Sequence, residues 1–250
     1  MRIHVIDLRD FYTRPIGEVV RQTVAQQLRA MWPDLRGERV VGLGFATPYL
    51  RQFRDEALAT IGFMPAAQGV VRWPAEGASA VSLVDEVHLP MADASVEKVL
   101  VVHGVETVDA LKPMLREIWR VLTPGGKLII VATNRSGLWA RVDSTPFGNG
   151  RPFSKRQLTQ LLREGMFSPS GWTQALFMPP FRLALLIRSA AWWERLGAIF
   201  WPGFSGVIIV EAVKEMYAMV PPAKPQFAAK LRPKLSYMPT STHKNTSTKP

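Results

Sequence analysis

The chain has 250 residues, no cysteine and a formal net charge of +11. A chain of this length can bury one sizeable core, and the lack of cysteine excludes disulfides, thiolate zinc sites and cysteine nucleophiles. We expect a cytoplasmic protein, because a chain without cysteine suits a reducing compartment and the charged start of the sequence lacks the apolar core of an export signal. We expect no transmembrane segment, since charges interrupt the most apolar stretch.

The first predicted element is a helix that ends at Met31. Apolar residues recur at helical spacing from Ile16 to Met31, and Trp32-Pro33 stops the pattern. We therefore predict that residues 1–36 form a helical cover over the core domain.

The most informative segment runs from Leu89 to Asn134. Its apolar run from Lys98 to His103 is typical of a central strand that has helices on both faces. Apolar residues at spacings of three and four then predict a helix from Leu111 to Leu122, followed by a tight turn at Thr123-Pro124-Gly125-Gly126. Lys127–Thr133 is predicted as a second buried strand.

Two motifs in this segment resemble those of class I S-adenosylmethionine (SAM)-dependent methyltransferases of the small-molecule type 11 kind. They are Leu89-Pro90-Met91, followed by Asp93 and Ser95, and Arg120-Val121-Leu122-Thr123-Pro124-Gly125-Gly126. The resemblance extends from Gly37 to about Met178. It implies an α/β fold over residues 37–218, with a Rossmann-like, seven-stranded, mostly parallel sheet, helices on both faces and an antiparallel last strand.

In this family the first strand leads into a glycine-rich loop that holds SAM. The corresponding segment is Val40 to Leu50, and the resemblance implies cofactor binding at Gly42, Gly44, Phe45, Ala46 and Thr47. The loop departs from the family pattern, because Gly42 stands where the family has an acid, while Ala46 and Pro48 replace glycines. Thr47 is expected to cap the next helix and Pro48 to occupy its first turn. We expect SAM binding that is weakened or reshaped, and Gly42 and Gly44 could also be ordinary turn glycines.

The resemblance implies three further cofactor contacts. Met64 ends the predicted second strand, Thr60–Met64, where the family has an acid for the ribose. Asp85 matches the acid that faces the adenine, and Glu86 lies beside it. An acid in such a loop is often only solvated, so a surface role for Asp85 stays open.

His103 is the candidate catalytic residue. At a strand end, it could contact the cofactor or take a proton from the methyl acceptor, and Glu106 could orient it. The alternative is that His103 only caps the strand, since positioning alone can support methyl transfer.

The substrate side is predicted at the end of the second strand and in the loop that follows it. Ligands of open α/β sheets lie beyond the carboxyl ends of the strands. The candidate substrate residues are Asn134, Trp139, Arg141, Phe147 and Arg151, with Asp143 nearby. The alternative is a loop that packs its own aromatic side chains.

Beyond this loop, Ser154 and Gln157 predict a capping box at the start of a helix. Trp172–Met178 and Gly206–Val213 are predicted to form the final antiparallel pair, with residues 181–201 as a helical insertion between them. Arginines and tryptophans in this insertion permit a lid, a dimer face, a docking surface for a protein partner or a membrane-interface helix.

The chain is predicted to end in a disordered tail over residues 219–250. It is rich in proline and lacks acids, while it carries six lysines and arginines, namely Lys224, Lys230, Arg232, Lys234, Lys244 and Lys249. It could be an electrostatic arm or only a solubilising extension. The four histidines are dispersed, so no metal site is predicted.

These observations favour a SAM-dependent methyltransferase that acts on a small molecule. The alternative is a methyltransferase-fold protein that has lost catalysis and acts as a binding or regulatory partner. Nucleic-acid methylation ranks third, because the chain lacks the Asn-Pro-Pro-aromatic motif of amino-methylating enzymes. The sequence does not identify the methyl acceptor, and a homodimer stays possible.

Overall fold

The computed structural model describes residues 3–180 and 189–215. The helices of this part are α1 (Val5–Tyr12), α2 (Pro15–Met31), α3 (Thr47–Leu50), α4 (Leu111–Val121), α5 (Lys155–Glu164) and α6 (Ala190–Phe200). The strands are β1 (Arg39–Gly44), β2 (Ala59–Pro65), β3 (Val81–Val84), β4 (Val96–Val102), β5 (Leu122–Thr133), β6 (Phe167–Ala175) and β7 (Val207–Lys214). The tail predicted over residues 219–250, and residues 181–188 of the predicted insertion, lie outside the described residues.

All seven strands join one sheet in the order β3-β2-β1-β4-β5-β7-β6. The first five strands run parallel to one another, whereas β7 runs antiparallel to both β5 and β6. The central position of β4 explains its apolar sequence, because helices cover both faces there. The predicted fold class, a mostly parallel Rossmann-like sheet with an antiparallel last strand, is confirmed.

The two faces of the sheet carry separate apolar layers. Alternate residues of each strand point to opposite faces, so Val40 belongs to the layer that includes residues of α1, α2 and α3, whereas Val41 belongs to the layer that includes residues of α4 and α5. The layer of Val40 is the one that matters for the site, because α1 and α2 cover it. The capping box that the sequence predicts at Ser154 and Gln157 begins α5.

Three local predictions need correction. Ala46, rather than Thr47, is the N-cap of α3, and its side chain makes no capping hydrogen bond. Leu122 begins β5 instead of ending α4, and the predicted turn lies inside β5, where the register with β4 shifts and Gly125 has a φ of 72°. Helix α1 was not predicted as a separate element, because it spans only eight residues.

No helix among the described residues is long and apolar enough to cross a membrane.

Candidate functional site

The candidate site lies where β1 and β4 end side by side. Gly44 closes β1 with a φ of 82°, and a Cβ at this position would lie 2.3 Å from the carbonyl oxygen of Val102. Only glycine permits this approach of the two backbones. The next residue, Phe45, donates its N–H to the same Val102 carbonyl at 2.8 Å. This amide of the loop is therefore engaged by the sheet.

A cluster of five aromatic side chains fills the space above these strand ends. All of them are buried, and we call them the aromatic cluster: Tyr12, Phe45, Tyr49, His103 and Phe147. The ring of Tyr12 stacks on Phe45 with centroids 5.7 Å apart and meets the edge of Tyr49 at 5.9 Å. The rings of His103 and Phe147 are 5.0 Å apart. Tyr12 comes from α1 and Phe147 from the substrate-side loop, so distant parts of the chain meet here.

Hydrogen bonds connect the polar atoms of the aromatic cluster. The Tyr12 hydroxyl lies 2.8 Å from the Tyr49 hydroxyl and 2.8 Å from Nε2 of His103. The side-chain amide of Gln68 donates to the His103 carbonyl at 3.3 Å. Burial lowers the pKa of His103 to about 3 and raises the pKa values of both tyrosines. The imidazole is therefore neutral at neutral pH and is a weak base.

The expectation that Glu106 orients His103 is wrong. Oε1 of Glu106 accepts hydrogen bonds from the backbone N–H of Thr133 at 2.9 Å and from its hydroxyl at 3.2 Å. The other oxygen, Oε2, is buried and has no hydrogen-bond partner among the described residues. Burial raises the pKa of Glu106, and Tyr12 takes the place expected for Glu106 beside His103.

Met64 and Asp85, the positions that the resemblance assigns to the ribose and the adenine, have different surroundings. Met64 is buried, and its sulfur accepts from the backbone N–H of Val71 at 3.5 Å. Asp85 lies in an exposed turn after β3, where its carboxylate accepts from the N–H of Val87 and pairs with His88 at 3.1 Å. Glu86 beside it is buried. The structure thus keeps Asp85 at the ligand edge of the sheet but turns its carboxylate into a surface turn.

Most of the predicted substrate residues have internal partners. The Asn134 side chain donates to the carbonyl of Gly203 and to the Ser205 hydroxyl, both at 3.1 Å. Trp139 is fully buried and donates to the Met178 carbonyl at 2.7 Å. Together with Phe147 in the aromatic cluster, these contacts agree with the alternative of a loop that packs its own aromatic side chains. They correct the prediction that Asn134, Trp139 and Phe147 are open to a substrate.

The two predicted arginines remain exposed. Arg141 ends a short 3₁₀ turn, and the backbone N–H of Arg151 donates to the carbonyl of Glu106 at 2.9 Å. Near them, a cavity of about 310 Å³ lies between α1 and the loop, lined by Asp10, Phe11, Arg14, Asp143 and Asn149 among others. Within the described residues, no three acids or histidines are grouped closely enough to hold a metal ion.

In the arrangement described, side chains fill the space beyond the ends of β1 and β4. The cofactor and the aromatic cluster would take the same space beyond the ends of β1 and β4. The carboxylates that the family resemblance implies for its amino and ribose groups would stand at the positions of Gly42 and Met64. A cofactor could enter only if α1, which supplies Tyr12, moved away.

Sequence reasoning missed Tyr12 and Gln68 as parts of the site. Tyr12 carried a usable signal, because Val5, Leu8 and Tyr12 follow helical spacing and are all buried. Gln68 carried none, since it lies in a turn and acts through its contact with the His103 backbone.

Residues 38–130, less than half of the chain, match the family model described as methyltransferase domain. No curated protein sequence matches the chain. A solved SAM-dependent methyltransferase from Thermotoga maritima, described as a possible histamine N-methyltransferase, has a TM-score of 0.58 at 19% identity, over 84% of this chain and 96% of that chain. A SAM-dependent methyltransferase from Archaeoglobus fulgidus has a TM-score of 0.53 at 17% identity, over 78% and 94%.

A third relative is geranyl diphosphate C-methyltransferase from Streptomyces coelicolor, solved with Mg²⁺, geranyl diphosphate and S-adenosyl-L-homocysteine. It has a TM-score of 0.53 at 13% identity, over 76% of each chain. Likeness at such identities establishes the fold, and the family model matches the segment from β1 to the middle of β5. The chain therefore has the fold of the SAM-dependent methyltransferases, and its residues 38–130 are similar to the methyltransferase domain family.

Proposed function

We propose that the protein is a SAM-dependent methyltransferase that acts on a small-molecule acceptor and admits its cofactor when α1 moves away from the sheet. The observation that carries this proposal is which parts of the chain supply the side chains that fill the site. Tyr12 and Phe147 lie outside residues 38–130, so they do not belong to the segment that the family model describes. The loop from Gly44 to Thr47 and His103 would line the cofactor space once Tyr12 has left.

The free energy needed to move α1 away from the sheet limits how tightly the site could bind SAM. Four side chains of α1 are buried, namely Val5, Leu8, Phe11 and Tyr12. Full exposure of four large apolar side chains costs about 6–12 kcal/mol, at about 1.5–3 kcal/mol each. Micromolar binding corresponds to about 8 kcal/mol. Cofactor binding is therefore weak unless α1 moves as a packed body that keeps part of its contacts.

The test is calorimetric titration of the full chain with SAM and S-adenosylhomocysteine. Tyr12→Ala removes the ring that stacks on Phe45, so this variant should bind the cofactor at least tenfold more tightly, which is about 1.4 kcal/mol. Tyr12→Phe keeps the ring but loses the hydroxyl contacts with Tyr49 and His103, so its affinity should lie between those of the wild type and Tyr12→Ala. An Asp85→Ala variant tests whether the remaining acid contributes.

The acceptor class is tested by transfer of a radiolabelled methyl group from SAM. The Tyr12→Ala variant and the wild type are each incubated with the low-molecular-weight fraction of a cell extract and, separately, with its macromolecules. Label in the small-molecule fraction supports the proposal, whereas label only in protein or nucleic acid contradicts the small-molecule acceptor. We place the activity in the cytoplasm, which suits a chain without cysteine.

A second candidate function is that of a non-catalytic methyltransferase-fold protein that binds a partner. What favours it is the set of three cofactor positions, where Gly42 and Met64 replace acids and Asp85 lies in an exposed turn. Absence of SAM binding up to millimolar concentration, in both the wild type and a folded Tyr12→Ala variant, would support this second function. Light scattering of the full chain would then establish whether a second copy is the partner.

A further inference from the structure

Among the described residues, the helix α6 packs against the domain with one side. Its inner side contains Trp193, which packs against the core, and Gly197, where an added Cβ would lie 2.3 Å from Cβ of Phe177. The carboxylate of Glu194 also points inward and accepts from the backbone N–H groups of Leu176 at 3.0 Å and Met178 at 3.1 Å. The acid of this helix is thus turned into the protein.

The other side of α6 and the turn after it expose large apolar side chains. We call this set the aromatic patch, and its members are between 53% and 71% exposed: Trp192, Ile199, Phe200, Trp201 and Phe204. Other exposed apolar residues of the described chain, such as Leu58 and Leu83, are scattered. A concentration of this kind within thirteen positions of sequence marks an interaction surface.

A shallow apolar cavity of about 340 Å³ adjoins the aromatic patch. Its lining includes Leu138, Phe177, Pro179, Trp201 and Phe204. All of these side chains are apolar, so the cavity offers an acyl chain mainly apolar surroundings.

Basic residues are close to the patch in the sequence. Arg195 is exposed on α6, and the sequence just before the helix carries Arg182 and Arg188. After Glu215 the chain contains no acid and six lysines and arginines. With a formal net charge of +11, a second copy of the chain would be repelled, whereas an anionic surface would be attracted.

We propose that the aromatic patch docks the protein on the surface of an anionic lipid bilayer. Tryptophan and phenylalanine side chains settle at the boundary between headgroups and acyl chains, and the exposed Arg195 on α6 faces the anionic headgroups. The inference is independent of whether the protein binds SAM.

Flotation of the full chain with lipid vesicles tests this proposal. We expect binding to vesicles of phosphatidylcholine mixed with an equal part of phosphatidylglycerol, little binding to phosphatidylcholine alone, and a decrease as salt rises. The double variant Trp192→Ser, Phe200→Ser should partition into the mixed vesicles about tenfold less, because it loses apolar area that the bilayer would bury. The control variant Leu58→Ser, Leu83→Ser removes exposed apolar side chains elsewhere and should bind like the wild type.

Three results would overturn the proposal. The first is a wild-type chain that does not float with the mixed vesicles. The second is a folded Trp192→Ser, Phe200→Ser variant that floats as well as the wild type, since the basic segments alone would then carry the binding. The third is a wild-type dimer in light scattering that the same variant converts to a monomer, because a second copy would then cover the patch.

Discussion

The hydroxyl oxygen of Tyr12 lies 2.8 Å from Nε2 of His103, although 91 positions of sequence separate the two residues. This contact joins the first helix to the end of the central strand β4. It also keeps the candidate site filled, because the Tyr12 ring that carries the hydroxyl stacks on Phe45 of the loop after β1. Closure of the site and stability of the fold therefore depend on the same side chain.

The first prediction compares the two tyrosines of the aromatic cluster. Tyr12→Phe removes the hydroxyl that contacts both His103 and Tyr49, so we expect the free energy of unfolding to fall by about 1–3 kcal/mol. Tyr49→Phe removes one of these contacts and should cost less. Urea unfolding of the three proteins measures both differences. An equal or larger loss in Tyr49→Phe would contradict the idea that the Tyr12 hydroxyl is the centre of the network.

The second prediction concerns acid pH. Burial lowers the pKa of His103 to about 3, whereas a histidine in the unfolded chain titrates near 6.5. Between these values the unfolded state binds a proton that the folded state does not, so stability falls as the pH falls from about 6.5 toward 3. The contribution of this one group is about 1.4 kcal/mol per pH unit within that window.

Other groups also titrate, so a variant is needed to assign the pH dependence of stability to His103. Glu106 acts in the opposite direction, because its raised pKa gives stability that is present below the usual pKa of a glutamate and lost as the pH rises. His103→Asn suits the φ of 50° at this position and removes the titrating group. Unfolding measured from pH 7 to pH 5 should show a flatter dependence in the variant than in the wild type. Identical slopes would exclude His103 as the source.

The third prediction uses two glycines with similar backbone angles. Gly44 has a φ of 82° and Gly125 a φ of 72°, but an added Cβ meets the Val102 carbonyl oxygen at Gly44 and open space at Gly125. Gly125→Ala should therefore cost only backbone strain, about 1–2 kcal/mol. Gly44→Ala adds a clash between two paired strands and should cost at least about 3 kcal/mol. Equal thermal midpoints of the two variants would show that the strands can separate without penalty.

The core of the fold was predictable because its signals are local. The apolar run of β4, the spacing of apolar residues in α4 and the glycines before the main part of β5 all lie in one continuous segment. The position of α1 was not predictable in the same way, because Tyr12 acts through Tyr49 and His103, which are distant in sequence. Its eight residues give too short a pattern to indicate what they cover.

The sequence predicted which edge of the sheet carries the candidate residues, but it did not predict the direction in which their side chains point. His103, Asn134 and Phe147 do border the carboxyl ends of the strands, as the topology requires. The sequence does not show whether such side chains face a ligand or each other. Phe147 packs on His103, and Asn134 bonds Gly203 and Ser205, which precede β7. The length of the loops and the residues that they pack against decide which way these side chains face, and residue type predicts neither.

The last prediction concerns the two motifs that carry the family resemblance. The guanidinium of Arg120 donates to the carbonyls of Leu89 at 3.2 Å and Met91 at 3.0 Å, and it pairs with the carboxylates of Asp93 and Glu117. Glu117 also accepts from the N–H of Leu89 at 2.7 Å. The two motifs are therefore bound to each other, which explains their presence by structure rather than by catalysis.

Arg120→Met should consequently lower the free energy of unfolding by about 2–3 kcal/mol, because it removes the guanidinium hydrogen bonds to the Leu89 and Met91 carbonyls and to the partly buried Glu117. Asp93→Asn is the matched control, since Asp93 is largely exposed and its ion pair with Arg120 contributes about 0–1 kcal/mol. Urea unfolding separates the two variants. If Asp93→Asn costs as much as Arg120→Met, the exposed ion pair holds the motifs together and the backbone carbonyls do not.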